Sequence, residues 1–561
     1  VPVAKGMYVS FNAGKEINKV KQAAITNTNK VVIATSGGGK TEGVIKPDVM
    51  QMIGNYFVID PKGSVYQDCA YLLKKNGYNI RVLNFYDVDL SHHYNPYAYI
   101  NSELDVINLG SDFMNATKED GERNDYWTGA AEDFFTSLIL YIYKSKDETN
   151  KSFERVVQIL TSIDYQDRKL SPVCEYSLLM EKYAIDRENE GLDEDKVVLN
   201  YKGMKGLPQE TLGGVVANLQ KRLGLWYTEV VSKFTAEDEM EFDNFTKPNS
   251  KEAIFVIYPI GSTTFKPIIS MFYQQFISRM KYMASQKCGG SLPVLLNIEA
   301  DEICQISKIP TLKDDIATIR SLGMRMTFVC QSLTQLEAKY EKEAKDILSN
   351  CGIICFFGSR DDKIRKWLCE EQIGYTTFKV ENKSYSKNGT NESEQGQRRL
   401  LITPDELDIL CKEDDDYRGR GVFLVGFGRP FKTWKIRADE FHHAEDVYFS
   451  WHPEKRERCF TDIEKEFLPV KEAREKRKSE AQAEKERAVN THLGEQFERD
   501  YNDADLVSVT DEDFFEEVYG EATVQYVKQD KKEKKKKGAV KVEFDKDALF
   551  QEVASEIEKR D

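Results

Sequence analysis

The sequence predicts an α/β protein built on a central, mostly parallel sheet, with an inserted all-α domain and a charged C-terminal tail. Short apolar strands alternate with helical stretches between Val31 and about Phe85. Helical periodicities dominate from roughly residue 105 to 290, and strands then resume. From about residue 456 the chain becomes dense in charge. These three observations indicate a sheet that is interrupted by a helical insertion and followed by a tail.

The composition is that of a soluble folded protein. Of the 561 residues, 40% are hydrophobic and 31% are charged, and a chain of this length predicts about two to four domains. No apolar run reaches about 18 residues, so nothing in this sequence is expected to span a membrane as a helix. The formal net charge of −15 argues against a protein that coats nucleic acid over its whole surface and leaves only local basic patches for that purpose.

The cysteines and histidines indicate no metal or disulfide framework. The ten cysteines are scattered, without a CxxC pair and without a histidine at ligand spacing. Reduced, mostly buried thiols in a cytosolic protein are therefore predicted.

The sheet is predicted from apolar runs with helical stretches between them. The first βαβ units contain the strands "VVIAT", "YFVID" and "IRVLNF". The helical insertion, which includes "AAEDFFTSLILYIYKSK", ends where the strand "EAIFVIYPIG" (252–261) returns the chain to the sheet. Four more strand candidates follow: "LPVLLNIEADE", "MRMTFVCQS", "CGIICFFGS" and "GVFLVGFG".

The first strand runs into a glycine-rich turn within "NKVVIATSGGGKTEGVIKP" (29–47). In the P-loop template Gly-x-x-x-x-Gly-Lys-Ser/Thr, the last three positions are filled by Gly39, Lys40 and Thr41, and Ala34 replaces the first glycine. A strand, a glycine turn and a helix N-terminus together form a phosphate cradle, although such a turn can also be only a turn. Lys40 would reach the β- and γ-phosphates and Thr41 would ligate Mg²⁺. The candidate nucleotide-binding residues are Thr35, Ser36, Gly37, Gly38, Gly39, Lys40 and Thr41.

A second strand delivers the carboxylates that a P-loop requires. In "VLLNIEADEICQ" an apolar run ends in Asp301, a candidate Mg²⁺ ligand, and Glu302, a candidate for orienting and activating the attacking water. The alternative is that these two acidic residues at the end of a strand are only surface charge. Glu299 in the same run competes as a carboxylate candidate.

Two further residues are candidates for the catalytic site. Gln331 ends the strand "MTFVCQS" and is expected at the carboxyl edge of the sheet, near the γ-phosphate; the alternative is a polar strand cap. Arg320, on a helix after the carboxylate strand, could reach a neighbouring subunit's phosphate as an arginine finger; the alternative is an exposed helix arginine.

The chain also carries longer segments that share the pattern of one family. They are 58–85 with its "DPKG" loop at 60–63, "NPYAYI" (95–100), "DYWTGAAEDFFTSLILYIY" (125–143), "ADEICQISKIPTLKDDIATIRSLGMRMTFVCQSLTQLEAKY" (300–340) and "RRLLITPDEL" (398–407). Over roughly residues 28–435 the sequence resembles the conjugative coupling proteins of type IV secretion, the VirD4/TraG group. It departs from that family in Ala34 and in "EICQ", where the family more often has "EFAN".

The resemblance implies a RecA-like P-loop ATPase with an inserted all-α domain, assembled as a homohexamer with nucleotides between subunits. It implies ATP and Mg²⁺ as cofactors. The implied partners are relaxase-bound single-stranded DNA, the relaxase with other DNA-processing proteins, and components of the type IV secretion channel. Family members usually carry N-terminal transmembrane helices and lie at the cytoplasmic face of the bacterial membrane. Because the sequence begins at Val1 without an initiator Met or a signal peptide, we expect such an anchor to have been removed.

These inferences divide the chain into four parts. A nucleotide-binding domain is expected at 1–104 and 251–455, the all-α insertion at 105–250 with a boundary that could extend to 290, and a charged, helical and then disordered tail at 456–561. The tail contains "KKEKKKKG" near its end. We expect substrate-specifying residues in the insertion and in the tail.

The leading hypothesis is an ATP-driven motor and substrate receptor for conjugative transfer. One alternative is a nucleotide-gated docking scaffold with little turnover, which Ala34 and the mixed charges of the tail favour. Another is a double-stranded DNA translocase of the chromosome-segregation type, which the helical insertion and "KIPTLKDDIATIRS" disfavour.

Overall fold

The computed structural model describes residues 2–4, 7–8, 27–118, 122, 125–386, 389–411, 419–426 and 428–504. The chain divides into two compact units, Val1–Leu468 and Pro469–Asp561. The predicted tail lies outside the described residues from residue 505 onward, including its lysine-rich stretch. The boundaries of the four predicted domains stay a prediction.

In the described part of the first unit, nine strands form one sheet in the order β15-β14-β11-β3-β10-β9-β4-β8-β5. The strands of the chain are β1 (Pro2–Ala4), β2 (Met7–Tyr8), β3 (Lys30–Ala34), β4 (Asn55–Asp60), β5 (Asn79–Asn84), β6 (Tyr165–Gln166), β7 (Lys169–Leu170), β8 (Glu252–Ile257), β9 (Leu296–Ala300), β10 (Met324–Cys330), β11 (Ile353–Gly358), β12 (Tyr375–Ser386), β13 (Gly389–Leu400), β14 (Arg420–Val425) and β15 (Phe431–Trp434). All pairings from β11 to β5 are parallel, whereas β14 and β15 add an antiparallel edge. The mostly parallel sheet is therefore confirmed.

The central strands are buried along their whole length. Every residue of β3, β4, β8, β9 and β10 is buried. Helices cover both faces of a parallel sheet, so its inner strands are near-continuous apolar runs, and this is why the sequence revealed them.

The α-helices connect and cover these strands. They are α1 (Lys46–Met50), α2 (Ser64–Lys75), α3 (Glu103–Ala116), α4 (Tyr126–Lys144), α5 (Phe153–Thr161), α6 (Glu175–Asn189), α7 (Lys196–Gly206), α8 (Gln209–Arg222), α9 (Glu229–Phe234), α10 (Lys266–Tyr282), α11 (Leu312–Thr318), α12 (Leu333–Tyr340), α13 (Glu343–Ser349), α14 (Asp362–Lys366), α15 (Pro404–Leu410), α16 (Arg456–Cys459) and α17 (Ile463–Ala504). π-helical turns flank three of them, at Thr41–Ile45, Met283–Lys287 and Trp367–Ile373. Helix α17 covers the charge-dense helix that the sequence predicts.

Helices α3 to α9 lie between β5 and β8 in the chain, where the sequence predicts the helical insertion. Helix α10 joins them to the sheet through aromatic packing. Phe276 of α10 stacks on Phe57 of β4 with ring centroids 4.9 Å apart, and Phe272 contacts the edge of Tyr94 at 4.8 Å. Rings packed in this way bury a large apolar area, so one continuous core extends from the sheet into the helices.

Two features were not predicted from the sequence. Strands β12 and β13 form a long hairpin that pairs with no strand of the central sheet among the described residues. Its residues are largely polar, so apolar alternation gave no signal, although Asn388–Gly389 is a dipeptide typical of hairpin turns. The short strand β15 extends the sheet at its edge.

Within the described residues, no helix is both long enough and apolar enough to cross a membrane.

We expect Gly54→Ala to destabilise the protein. Gly54 has φ +88°, and a Cβ there would stand 2.1 Å from the carbonyl oxygen of Leu295, which precedes β9. Backbone strain and steric overlap together predict a loss of about 2–4 kcal/mol in the free energy of unfolding, measured by urea denaturation. Gly203→Ala is the control, because Gly203 lies inside α7 with open space around it, and we expect it to gain about 0.5–1 kcal/mol. Equal effects of the two substitutions would contradict this account.

Candidate nucleotide site

The glycine-rich turn between β3 and the first helical turn has the shape of a phosphate cradle. Gly37 and Gly39 both have φ +78°, a left-handed conformation that glycine adopts without strain. A Cβ on Gly38 would stand 3.1 Å from the Cβ of Ala34. The turn is closed by a hydrogen bond from the N–H of Gly38 to the carbonyl of Thr35 at 3.0 Å. The glycines therefore permit a compact turn whose N–H groups can converge on an anion.

The two predicted motifs meet at the carboxyl edge of the sheet. The ammonium of Lys40 lies 2.6 Å from Oε1 of Glu302 and 3.7 Å from Oδ1 of Asp301. The hydroxyl of Thr41 donates a hydrogen bond of 2.7 Å to Oδ2 of Asp301. Four side chains from segments about 260 residues apart in the chain thus form one connected cluster.

Glu302 is held in an uncommon backbone conformation. Its φ is +59°, in the left-handed region that a residue with a Cβ rarely adopts. Such strain persists where the surrounding structure fixes it, and it is concentrated at functional sites. Here the carboxylate accepts hydrogen bonds from Lys40 at 2.6 Å and from the amide of Gln331 at 2.9 Å.

Gln331 reaches the cluster because β10 lies between β3 and β9. The hydroxyl of Ser359, which follows β11, donates a hydrogen bond of 3.1 Å to the backbone carbonyl of Gln331. Gln331 therefore lies beside the proposed water-activating carboxylate.

The structure does not bring Arg320 to this cluster. Arg320 is exposed and precedes the amino end of β10 by four residues, whereas the cluster lies at the carboxyl ends of the strands. A role at the site of a neighbouring subunit stays a prediction.

Glu299 does not line the cavity beside the cluster. It is fully buried in β9, in register with Thr327 of β10. Burial raises its pKa well above the usual range of a glutamate, so the neutral form is favoured. This placement separates Glu299 from Asp301 and Glu302.

A cavity of about 260 Å³ opens beside the cluster and contains residues that the motif analysis had not selected. Asp60 at the end of β4, Lys62 in the loop that follows, and Glu42, after Thr41, line it together with the P-loop and the two carboxylates. The carboxylate of Asp60 accepts hydrogen bonds from the N–H groups of Val65 and Tyr66 at 2.8 and 2.9 Å. Asp60 could have been identified from the sequence as an aspartate at the end of an apolar strand, the same feature that identified Asp301.

The donor set fits a magnesium ion. Among the described residues, the buried Oδ1 of Asp301 has no hydrogen-bond partner, and Oδ2 accepts a hydrogen bond from the hydroxyl of Thr41. Burial raises the pKa of Asp301, and the ammonium of Lys40 opposes that shift. Mg²⁺ prefers oxygen ligands and is commonly bound through one or two protein groups together with substrate phosphates. Asp301 and Thr41 are the residues that would hold it.

A family sequence model described as type IV secretory system conjugative DNA transfer matches residues 4–426. Protein VirD4 of Rhizobium radiobacter is 23% identical over 424 residues, which cover 73% of this chain and 56% of that protein. The conjugal transfer protein TraG of Escherichia coli is 21% identical over 432 residues, covering 72% of this chain and 65% of that protein. The chain thus spans a little more than half the length of its VirD4 relatives.

Solved structures of the bacterial conjugative coupling protein TrwB share the fold. The unbound form of TrwBdeltaN70 has a TM-score of 0.53 and 15% identity, covering 74% of this chain and 85% of that one. Structures of TrwB in complex with the GTP analogue GDPNP and with ADP and Mg²⁺ each have a TM-score of 0.51. The RecA-like P-loop ATPase fold implied by the sequence is confirmed.

The pKa of Asp60 predicts a pH-dependent stability. Burial is the main cause that raises this pKa from 3.8 to about 7, and the nearby charge of Asp301 adds to it. Between about pH 4 and 7 the folded protein keeps a proton that the unfolded chain has lost, so the contribution of Asp60 to stability decreases as pH rises through this window. Asp60→Asn cannot titrate. We expect its stability relative to the wild type to increase by about 2 kcal/mol from pH 5 to pH 8, measured by urea denaturation.

The control for this experiment is Asp133→Asn, since Asp133 is an exposed aspartate of α4. Its stability relative to the wild type is expected to stay nearly constant with pH. Parallel pH profiles of Asp60→Asn and the wild type would show that Asp60 is not a buried carboxyl of raised pKa.

Proposed function

The chain belongs to the type IV secretory system conjugative DNA transfer family, and from this membership we propose that it is an ATP-hydrolysing coupling protein. It recruits relaxase-bound single-stranded DNA, and protein substrates where these travel as well, and drives or gates their transfer through a type IV secretion channel. We further propose that it acts at the cytoplasmic face of the membrane as a homohexamer, through an anchor outside this sequence. Because the chain covers only part of its relatives, these partners and activities are proposals.

The convergence of Lys40, Thr41, Asp301, Glu302 and Gln331 at one sheet edge carries the proposal. In P-loop ATPases a lysine contacts the β- and γ-phosphates, a hydroxyl and a carboxylate bind the metal, and a second carboxylate activates water. TrwB, whose fold this chain shares, has been solved with ADP and Mg²⁺ and with nucleotide analogues, which supports nucleotide binding by this chain.

The proposed reaction starts from the contact between Lys40 and Glu302. An incoming γ-phosphate attracts the ammonium of Lys40, which releases Oε1 of Glu302. The freed carboxylate orients a water and takes its proton as the water oxygen attacks the γ-phosphorus in line, and the bond to the ADP oxygen breaks. Gln331, 2.9 Å from Oε1, would hold the same water. Mg²⁺, when bound, would neutralise charge on the phosphate oxygens.

We expect Glu302→Gln to abolish turnover without preventing nucleotide binding. The amide keeps the shape of the carboxylate but cannot take a proton, so kcat should fall by about 10²–10⁴-fold while ATP still binds. The measurement is phosphate release with Mg²⁺, with and without single-stranded DNA, beside a direct ATP binding assay. The control is Glu337→Gln, because Glu337 of α12 pairs with Lys363 of α14 and is not among the residues that line the cavity.

This assay distinguishes the alternatives when it is repeated with double-stranded DNA and accompanied by a measurement of conjugative transfer. Turnover that single-stranded DNA stimulates and Glu302→Gln removes supports the motor. Conjugative transfer that survives Glu302→Gln would support the docking scaffold instead. Stimulation by double-stranded DNA alone would favour a duplex translocase.

Arg320 is expected to act on a neighbouring subunit, and a mixing experiment tests this. Arg320→Ala should bind ATP normally and lose about 10³-fold or more in kcat, as arginine fingers do. Lys40→Ala should lose its own nucleotide site but keep Arg320. Mixed rings of the two variants should regain part of the activity, because some interfaces combine an intact P-loop with an intact Arg320. No recovery in rings of proven mixed composition would refute the role in trans.

A further inference from the structure

Beyond the edge strand β15, the chain crosses the carboxyl edge of the sheet as a segment that we call the strap (residues 435–461). Gly43 lies in the helical turn after the P-loop. A Cβ added to it would stand 3.3 Å from the carbonyl oxygen of Ile436, so the two backbones are in close contact. Further along, the N–H of Tyr448 donates to the carbonyl of Asp68, and that of Thr461 donates to the carbonyl of Gln67, both in α2. The strap therefore contacts first the P-loop turn and then α2.

Lys435, the first residue of the strap, reaches into the P-loop. It is 7% exposed, and its ammonium donates a hydrogen bond of 3.3 Å to the carbonyl oxygen of Gly38. Its Cδ lies 3.9 Å from the position of a Cβ on Gly39, and the ammonium lies 5.4 Å from the ring centroid of Phe357. The lysine is thus packed along its length against the turn and the end of β11.

We propose that Lys435 is a positioning residue for nucleotide binding, an inference that rests on the proposed function of the P-loop. The carbonyl of Gly38 and the N–H of Gly39 belong to the same planar trans peptide, so they point in opposite directions. The hydrogen bond keeps the carbonyl of Gly38 pointing towards Lys435, and the N–H of Gly39 therefore points away from Lys435. Gly39 lines the cavity, so that N–H is available to a phosphate.

Lys435 also places a positive charge behind the phosphate cradle. A buried cation is screened less than a surface one and therefore reduces the cost of bringing a polyphosphate into the turn. P-loop backbone N–H groups contact the α- and β-phosphates, which ATP and ADP share. The structure therefore assigns to Lys435 an effect on both nucleotides that is independent of the γ-phosphate.

The test compares Lys435→Met with the wild type in the full chain. Methionine keeps an apolar stem against Phe357 and removes both the charge and the donor. We expect the Kd of ADP and of ATP to increase by the same factor, about tenfold, as the loss of one charge-assisted hydrogen bond predicts. Lys435→Arg should restore most of the affinity. Lys435→Gln, which keeps a neutral donor, should lie between them and replaces the methionine variant if that variant does not fold.

The matched control is Lys455→Met. Lys455 belongs to the same strap and donates a hydrogen bond of equal length, 3.3 Å, to the carbonyl of Ala444, without contacting the P-loop. Both methionine variants can lower the melting temperature, but only Lys435→Met should weaken nucleotide binding.

Three results would overturn the inference: an unchanged Kd in Lys435→Met or Lys435→Gln, an equal loss of affinity in Lys455→Met, or a loss confined to ATP. A wild-type chain that binds neither ADP nor ATP would instead refute the proposed function, so the two failures are distinguishable.

Discussion

The register of three parallel strands is the constraint on which the candidate site depends. Thr327 of β10 pairs with Lys30 of β3 on one side and with Glu299 of β9 on the other. The pairing continues to Cys330 and Ile33 on one side and to Phe328 and Ala300 on the other, so Gln331, which directly follows β10, lies between the P-loop and the carboxylates. A slip of one residue would move a side chain about 3.3 Å along the strand and turn it to the opposite face, so the cluster requires this pairing.

Buried ion pairs fix the helix that follows the P-loop onto this sheet. Lys30 in β3 pairs with Asp48 in α1, and Lys46 in α1 pairs with Asp68 in α2. Burial raises the pKa of Asp68 to about 6, and the charge of Lys46 opposes the shift. Removing one partner of a buried pair costs about 3–5 kcal/mol because the other charge remains buried, so these pairs specify position more than they add net stability. The P-loop and the helix after it are thus held in place by contacts with β3, with α2 and, through Lys435, with the strap.

The sequence was sufficient to predict features that depend on neighbouring residues. It was not sufficient to predict contacts between segments that are far apart in the chain. The buried strands are continuous apolar runs. Asp301 and Glu302 directly follow one of them, and Lys40 and Thr41 follow another after a glycine-rich turn, so their placement at one edge could be inferred. The order of the strands could not, and it is this order that puts Gln331 between the motifs. Lys435 is 397 positions from Gly38 and carries no local pattern.

In the proposed mechanism, the contact between Lys40 and Glu302 links phosphate binding to catalysis within a single chain. While the ammonium of Lys40 lies 2.6 Å from Oε1, it occupies the position from which a water would donate to that oxygen. A γ-phosphate competes for the same lysine, and ADP, which lacks that group, competes less. The carboxylate therefore becomes a base only when a triphosphate is in place, and Gln331, already hydrogen-bonded to the same oxygen, responds to the same change. The strained backbone of Glu302 keeps its carboxylate at the point where Lys40, Gln331 and the phosphate meet.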